Sequence, residues 1–76
     1  MDPGRRERMK MLSDLSIAIE LRIKAEGWTQ KQAAERMGVT QPRISDLLRG
    51  KLGLFSIDSL IAMGAAAGLR FELKAK

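Results

Sequence analysis

The 76-residue sequence contains no cysteine, no histidine and no tyrosine. Without cysteine the chain can form neither a disulfide framework nor a thiolate zinc site, so hydrophobic packing must hold the fold, and nothing points to an oxidising compartment. Most of the usual general acids, bases and nucleophiles are also missing, and no pair of carboxylates lies on an apolar wall that would shift its pKa. We therefore expect neither an enzyme nor a cofactor or metal site.

Long apolar runs are missing as well. No uninterrupted apolar stretch approaches the length needed to span a bilayer, and the N-terminal MDPGRRERMK is not followed by a signal-peptide core. These absences predict a soluble cytoplasmic protein with no membrane partner. The length suits one domain with a small core, and the net charge of +5 suits a polyanionic partner without identifying it.

The pattern along the chain predicts three segments. Residues 1–8 combine proline, glycine and charged residues, which is typical of a flexible arm whose basic side chains either follow a nucleic-acid groove or only keep the tail in solution. Residues 9–68 show the periodicity of a helical domain. Residues 69–76 alternate between apolar and charged side chains, which is typical of a strand.

The first predicted helix begins at Met9 and ends at Gly27, where glycine can adopt the left-handed conformation. Ile17 and Leu21 lie off its buried stripe, one turn apart. They would pack against the fourth helix or against another subunit, and the first of these is the preferred interpretation. The stripe itself repeats at three and four residues and consists of Leu12, Leu15, Ile19 and Ile23.

Three signals place the start of a second helix after Thr29. The Thr29 side chain can cap the helix, Gln32 can reach back to close a capping box, and Trp28 can pack onto Ala33. This position makes Trp28 a core residue rather than a base-stacking one. Gly38 then supplies the positive φ of a tight turn.

A third helix is predicted to start near Gln41, capped by Thr40, and to end at Arg49 and Gly50. Pro42 is compatible only with the first turn of such a helix. The residues that point inward at helical spacing are Ile44, Leu47 and Leu48. An apolar loop, 52–55, should then fold back over the core.

Ser56 is predicted to cap a fourth helix over 57–67, with Gly68 at its exit. The strand that follows cannot satisfy its backbone groups alone, so it needs a partner strand, and the simplest partner is a second copy paired antiparallel. A frayed tail or a final helical turn is the alternative. With the two-fold axis at Phe71, Arg70 would face Glu72 of the second copy and Leu69 would face Leu73. The predicted dimer residues are therefore Leu69, Arg70, Phe71, Glu72 and Leu73.

Several short motifs together resemble the Xre-type helix-turn-helix of phage repressors and Cro proteins: TQ at 29 and 30, AA at 33 and 34, GVT at 38–40, IS at 44 and 45, and the closing RGK. The resemblance implies a mostly α, four-helix lambda-repressor-like domain in which the strand replaces the usual fifth helix. It also implies a dimeric repressor that binds double-stranded DNA at a palindromic operator. The compact C-terminus is similar to HigA-like antitoxins, which makes an antitoxin that binds a toxin protein and regulates its own operon the alternative.

The resemblance also implies roles for single residues. Gln41 could offer its amide to adenine and Pro42 could contact a thymine methyl, whereas Asp46 would either accept from cytosine or pair with Arg43 or Arg49 in its own helix. Lys31 and Arg36 are either weaker phosphate contacts or solvated charges. The expected base-reading residues are Thr40, Gln41, Pro42, Ser45 and Asp46. The expected phosphate contacts are Gln30, Arg43, Arg49 and Lys51.

Overall fold

The computed structural model describes residues 3–71, with side chains from residue 6 onward. This part of the chain is mostly α-helical, as predicted, and contains no strand. None of its helices is long and apolar enough to cross a membrane. The helices are α1 (Pro3–Glu26), α2 (Gln30–Met37), α3 (Gln41–Leu48) and α4 (Ile57–Ala66), and a short 3₁₀ turn (Leu52–Leu54) connects α3 to α4.

Helix α1 begins at Pro3, six residues before the predicted start at Met9. Proline fits the first turn of a helix because that turn leaves its backbone N–H groups unbonded in any case. The arginine, glutamate, methionine and lysine residues that follow are good helix formers, so the helix can extend beyond its buried part toward the N-terminus. The segment expected to be an arm is therefore helical from residue 3 onward.

The core lies where α1 packs against α4 and where α2 packs against α3 and α4. The predicted α1 stripe is buried, and Ile44 of α3 and Leu60 of α4 are fully shielded from solvent. Burial of a side chain of this size stabilises the fold by about 1.5–3 kcal/mol. The buried apolar residues are Leu12, Leu15, Ile19, Ile23, Ala33, Ala34, Met37, Ile44, Leu47, Phe55, Leu60, Met63 and Ala67.

Two predicted helix caps are confirmed. The Thr29 hydroxyl accepts the Gln32 backbone N–H at 3.1 Å, and the Gln32 side chain accepts the Thr29 N–H at 2.9 Å. Ser56 and Ser59 form the same reciprocal pair at the start of α4. Trp28 is half-buried and packs against the core, as its position predicted.

The N-cap position predicted at Thr40 is confirmed, but the expected side-chain hydrogen bond is not formed. Thr40 has the extended backbone of an N-cap, but its side chain makes no cap hydrogen bond. Pro42 has no N–H to offer, and the Arg43 N–H donates to the Thr40 carbonyl at 3.1 Å instead of to the hydroxyl. The Thr40 hydroxyl is thus exposed at the start of α3 and unused by the helix.

The chain turns back onto the core after α4. Gly68 has a φ of +86°, and the Leu69 N–H donates to the Gly64 carbonyl at 2.8 Å, which closes the helix end. The Arg22 side chain of α1 adds a hydrogen bond from Nε to the Ala67 carbonyl at 3.1 Å. Phe71 packs so closely on Gly64 that a Cβ there would overlap the ring.

The segment that turns back onto the core after α4 is the one predicted to form the dimer strand. Leu69, Arg70 and Phe71 do not form a strand, and Leu69 and Phe71 pack against the core of their own chain. A lone chain offers no strand to pair with, so the ladder that defines a sheet cannot form. Glu72 and Leu73 lie outside the described residues. Pairing of this segment between two copies stays a prediction.

Candidate nucleic-acid interface

The tight connection between α2 and α3 sets the direction of α3. Gly38 has a φ of +69°, and both its N–H and that of Val39 donate to the Ala34 carbonyl, the latter at 3.0 Å. Ala33 and Ala34 are buried and small, so the two helices can approach closely at this point. Ile44 and Leu47 then anchor the inner side of α3 in the core. The opposite side of α3 is held in one orientation and faces away from the core.

Helical geometry decides which side chains lie on that outer side. Successive residues rotate by about 100° around a helix axis, so five positions of α3 and its C-cap are directed away from Ile44 and Leu47. Of the five, the first two and the last are exposed, and the other two are half-buried. We call them the outer face of α3: Gln41, Pro42, Ser45, Asp46 and Arg49.

The N-terminal end of the outer face is the most accessible part. Thr40, Gln41 and Pro42 are all exposed, and among the described residues neither the Thr40 hydroxyl nor the Gln41 amide has a hydrogen-bond partner. The structure therefore leaves one hydroxyl, one amide and one apolar ring side by side. These groups can bind base edges without first breaking a bond within the protein.

Asp46 pairs with a residue other than those predicted. Its Oδ1 lies 4.0 Å from Nζ of Lys51, and no ion pair with Arg43 or Arg49 is present among the described residues. Gly50, with a φ of +77°, reverses the chain after α3, and the Lys51 N–H donates to the Asp46 carbonyl at 3.0 Å. The sequence could not show this contact, since it depends on the chain reversal and not on helical spacing.

Arg43 lies beside the outer face and not on it. Its guanidinium carbon is 4.5 Å from the centre of the Phe55 ring, and its side chain is half-buried. Phe55 is buried, as expected for a loop folded over the core, so the stacked guanidinium covers one of its faces. The predicted phosphate contact by Arg43 would have to be made from this stacked position.

Exposed cations flank the outer face. Arg49 and Lys31 are exposed and have no ion pair among the described residues, and Lys51 is exposed beside Asp46. Gln30, the first residue of α2, is exposed as well. Arg36 lies over the Trp28 ring, with 5.7 Å between its guanidinium carbon and the ring centre. The outer face of α3 thus has polar side chains beside exposed positive charges.

The family model of the helix-turn-helix domain matches residues 1–76, the whole of the sequence. The chain belongs to the helix-turn-helix domain family. In such domains the second helix of the motif lies in the major groove of DNA, and here that helix is α3. The family indicates a DNA-binding regulator, in agreement with the Xre-type resemblance. No curated protein matches the chain at a significant level.

The predicted site residues lie in different environments around the helix-turn-helix. Thr40, Gln41 and Pro42 lie together at the exposed start of α3, with the half-buried Ser45 and Asp46 one turn further along. Of the predicted phosphate contacts, Gln30, Arg49 and Lys51 are exposed, whereas Arg43 is stacked on Phe55. The sequence did not predict this stacking. An arginine at position 43 and a phenylalanine at 55 carry no joint signal in the sequence, because twelve residues and a chain reversal separate them.

Proposed function

We propose that this protein is a sequence-specific transcriptional repressor that binds a palindromic operator as a homodimer and has no catalytic role. The observation that carries the proposal is the exposed start of α3, where Thr40, Gln41 and Pro42 have polar or apolar atoms directed outward and unoccupied. Two such helices, about 34 Å apart, would enter successive major grooves on one side of the duplex.

The side chains of α3 suit distinct parts of a base pair. The Gln41 amide has both a donor and an acceptor, which match N7 and the N6 amino group of adenine. Pro42 can make only apolar contact, for which the thymine methyl group is the matching surface in the major groove. The Thr40 hydroxyl can donate or accept, so it can contact either a base edge or a phosphate.

The charged residues at the C-terminal end of α3 and just after it would set affinity and register. Arg49 and Lys51 are exposed at the C-terminal end of α3, where they can contact the DNA backbone. Lys51 lies beside Asp46, and its positive charge lowers the electrostatic cost of bringing that carboxylate close to phosphates. We propose that Asp46 pairs with Lys51 and does not itself read cytosine.

The test of this function is selection of binding sites from random duplexes by the purified protein. The wild type should enrich one half-site, and Gln41→Ala should relax the preference at a single base position at a cost of about 1–3 kcal/mol. Ala62→Ser, at an exposed position of α4, is the control and should keep the preference. An unchanged preference in Gln41→Ala would show that α3 does not read bases through this residue.

A salt titration separates DNA binding from a purely protein-binding role. Each neutralised phosphate should steepen the dependence of log affinity on log salt by about 0.9. Arg49→Gln should remove about one such increment. A flat dependence in the wild type would contradict DNA binding.

Binding of a toxin, the alternative role, stays a prediction, and coexpression with the product of the adjacent reading frame would test it.

A further inference from the structure

The outer side of α1 has a row of exposed side chains. Ile17 and Leu21 are 50% and 60% exposed, although the preferred interpretation of the sequence packed them against α4 and left another subunit as the alternative. They lie opposite the buried stripe, because α1 meets α4, α3 and the 3₁₀ turn through its other side. Three charged residues continue the row at spacings of four and three. We call it the α1 row: Lys10, Asp14, Ile17, Leu21 and Lys24.

The spacing of the α1 row is that of a helix-pairing seam. Residues that alternate at four and three positions stay on one side of a helix, as the a and d positions of a coiled coil do. A single exposed apolar residue is ordinary on a protein surface. Two on adjacent turns, with charges continuing the same seam at both ends, form a surface that a second helix can cover.

The α1 row is complementary to itself in the antiparallel direction. We consider a two-fold axis that crosses the outer side of α1 at the level of Ile19. Ile17 then meets Leu21 of the second copy and Asp14 meets Lys24 of the second copy, and each contact occurs twice. A parallel pair would instead oppose Asp14 to Asp14 and Lys24 to Lys24. Lys24 already lies 3.4 Å from Glu20 of its own helix, but 69% of its side chain is exposed and can still face a second carboxylate.

We propose that the α1 row is the surface through which two copies of this chain pair, antiparallel about Ile19. The row contains charges of both signs, and the two-fold axis places Asp14 opposite Lys24. This arrangement favours a second copy over DNA or an anionic membrane, because a polyanion would favour a row with positive charge alone. Ser13 and Ala25, which face each other in this register, are small enough to allow close approach. The contact is short, so the isolated dimer should be weak and concentration-dependent.

This inference rests on the proposed function in one respect only, namely that the dimer binds an operator. The association itself can be measured without DNA, by sedimentation equilibrium of the full chain over a range of concentrations. Asp14→Lys and Lys24→Glu each turn two attractive pairs into two repulsive ones, so each should raise the dimer dissociation constant about tenfold. An equimolar mixture of the two variants should form a heterodimer of wild-type affinity, because every facing pair is then again of opposite sign.

Leu21→Asn tests the apolar centre of the contact and should leave the protein monomeric at concentrations where the wild type dimerises. Leu54→Asn is the matched control, because Leu54 is 52% exposed but lies outside the α1 row. All of these positions are exposed, and far-UV circular dichroism checks that the variants fold. A wild type that is monomeric throughout, or variants that dimerise unchanged, would overturn the inference. Steep salt dependence of DNA binding in the same preparations would show that the proposed function stands without it.

Discussion

The contact of Phe71 with Gly64 gives a quantitative test of where the C-terminal end of the fold packs. Gly64 lies in α4, and a Cβ built on it would overlap Cε2 and Cζ of the Phe71 ring. Gly64→Ala should therefore displace the ring. Full burial of such a side chain stabilises by about 1.5–3 kcal/mol, and since Phe71 is half-buried we expect a loss of about 1–2 kcal/mol.

The same substitution has an opposite effect on the helix itself. Alanine is favoured over glycine in a helix by up to about 1 kcal/mol, so in the wild type the two effects should leave Gly64→Ala neutral or destabilising. In a Phe71→Ala background the overlap is gone, and Gly64→Ala should stabilise by about 0.5–1 kcal/mol. The coupling free energy between the two sites should then be about 1–2 kcal/mol.

Urea unfolding of the wild type, both single variants and the double variant measures this coupling. Gly53→Ala serves as a control, because a Cβ there meets nothing within 4 Å and its effect should not depend on Phe71. If Gly64→Ala had the same effect in both backgrounds, within about 0.5 kcal/mol, Phe71 would not lie on Gly64 in solution. The strand-paired dimer centred on Phe71 would then be the better description of this segment.

Further predictions concern the helix-turn-helix itself. Thr29→Ala should lower the free energy of unfolding by about 1 kcal/mol through loss of its cap, a fall in melting temperature of roughly 4–8 °C, whereas Thr40→Ala, which has no cap bond to lose, should change it little. Gly38→Ala should cost about 1–2 kcal/mol in urea unfolding from backbone strain alone, because there is open space around the position, and an unaffected variant would contradict the positive φ. Asp46→Asn should strengthen binding to all duplexes in a fluorescence anisotropy titration and leave the selected site unchanged. Loss of preference at one base pair would instead show that Asp46 contacts cytosine.

Local signals in the sequence were sufficient for most of the helical framework. The Thr29 capping box, the glycine turn at residue 38 and the buried stripe of α1 all follow from interactions between residues a few positions apart, and the structure contains all three. The start of α1 was misplaced because charged residues are equally common in helices and in arms. Thr40 is the N-cap of α3, as predicted, but its hydroxyl makes no cap hydrogen bond, because the Arg43 N–H donates to the Thr40 carbonyl instead.

The identity of the outward residues of α3 was likewise predictable, because Ile44 and Leu47 define the inner side and helical rotation defines the rest. What these residues contact within the molecule was not. Asp46 meets Lys51 because Gly50 reverses the chain, and Arg43 stacks on Phe55 because the following loop folds over the core.

The sequence by itself determined where α2, α3 and α4 begin, the caps at Thr29 and Ser56, and the side of α3 that faces outward, since short-range hydrogen bonding and the 3.6-residue period decide all of these. Only the tertiary structure decided that Ile17 and Leu21 remain uncovered, that Phe71 packs on Gly64 and that Arg43 is stacked. Each of these depends on which surfaces meet after the chain has turned, and contacts between distant segments leave no local pattern in the sequence from which they could be predicted.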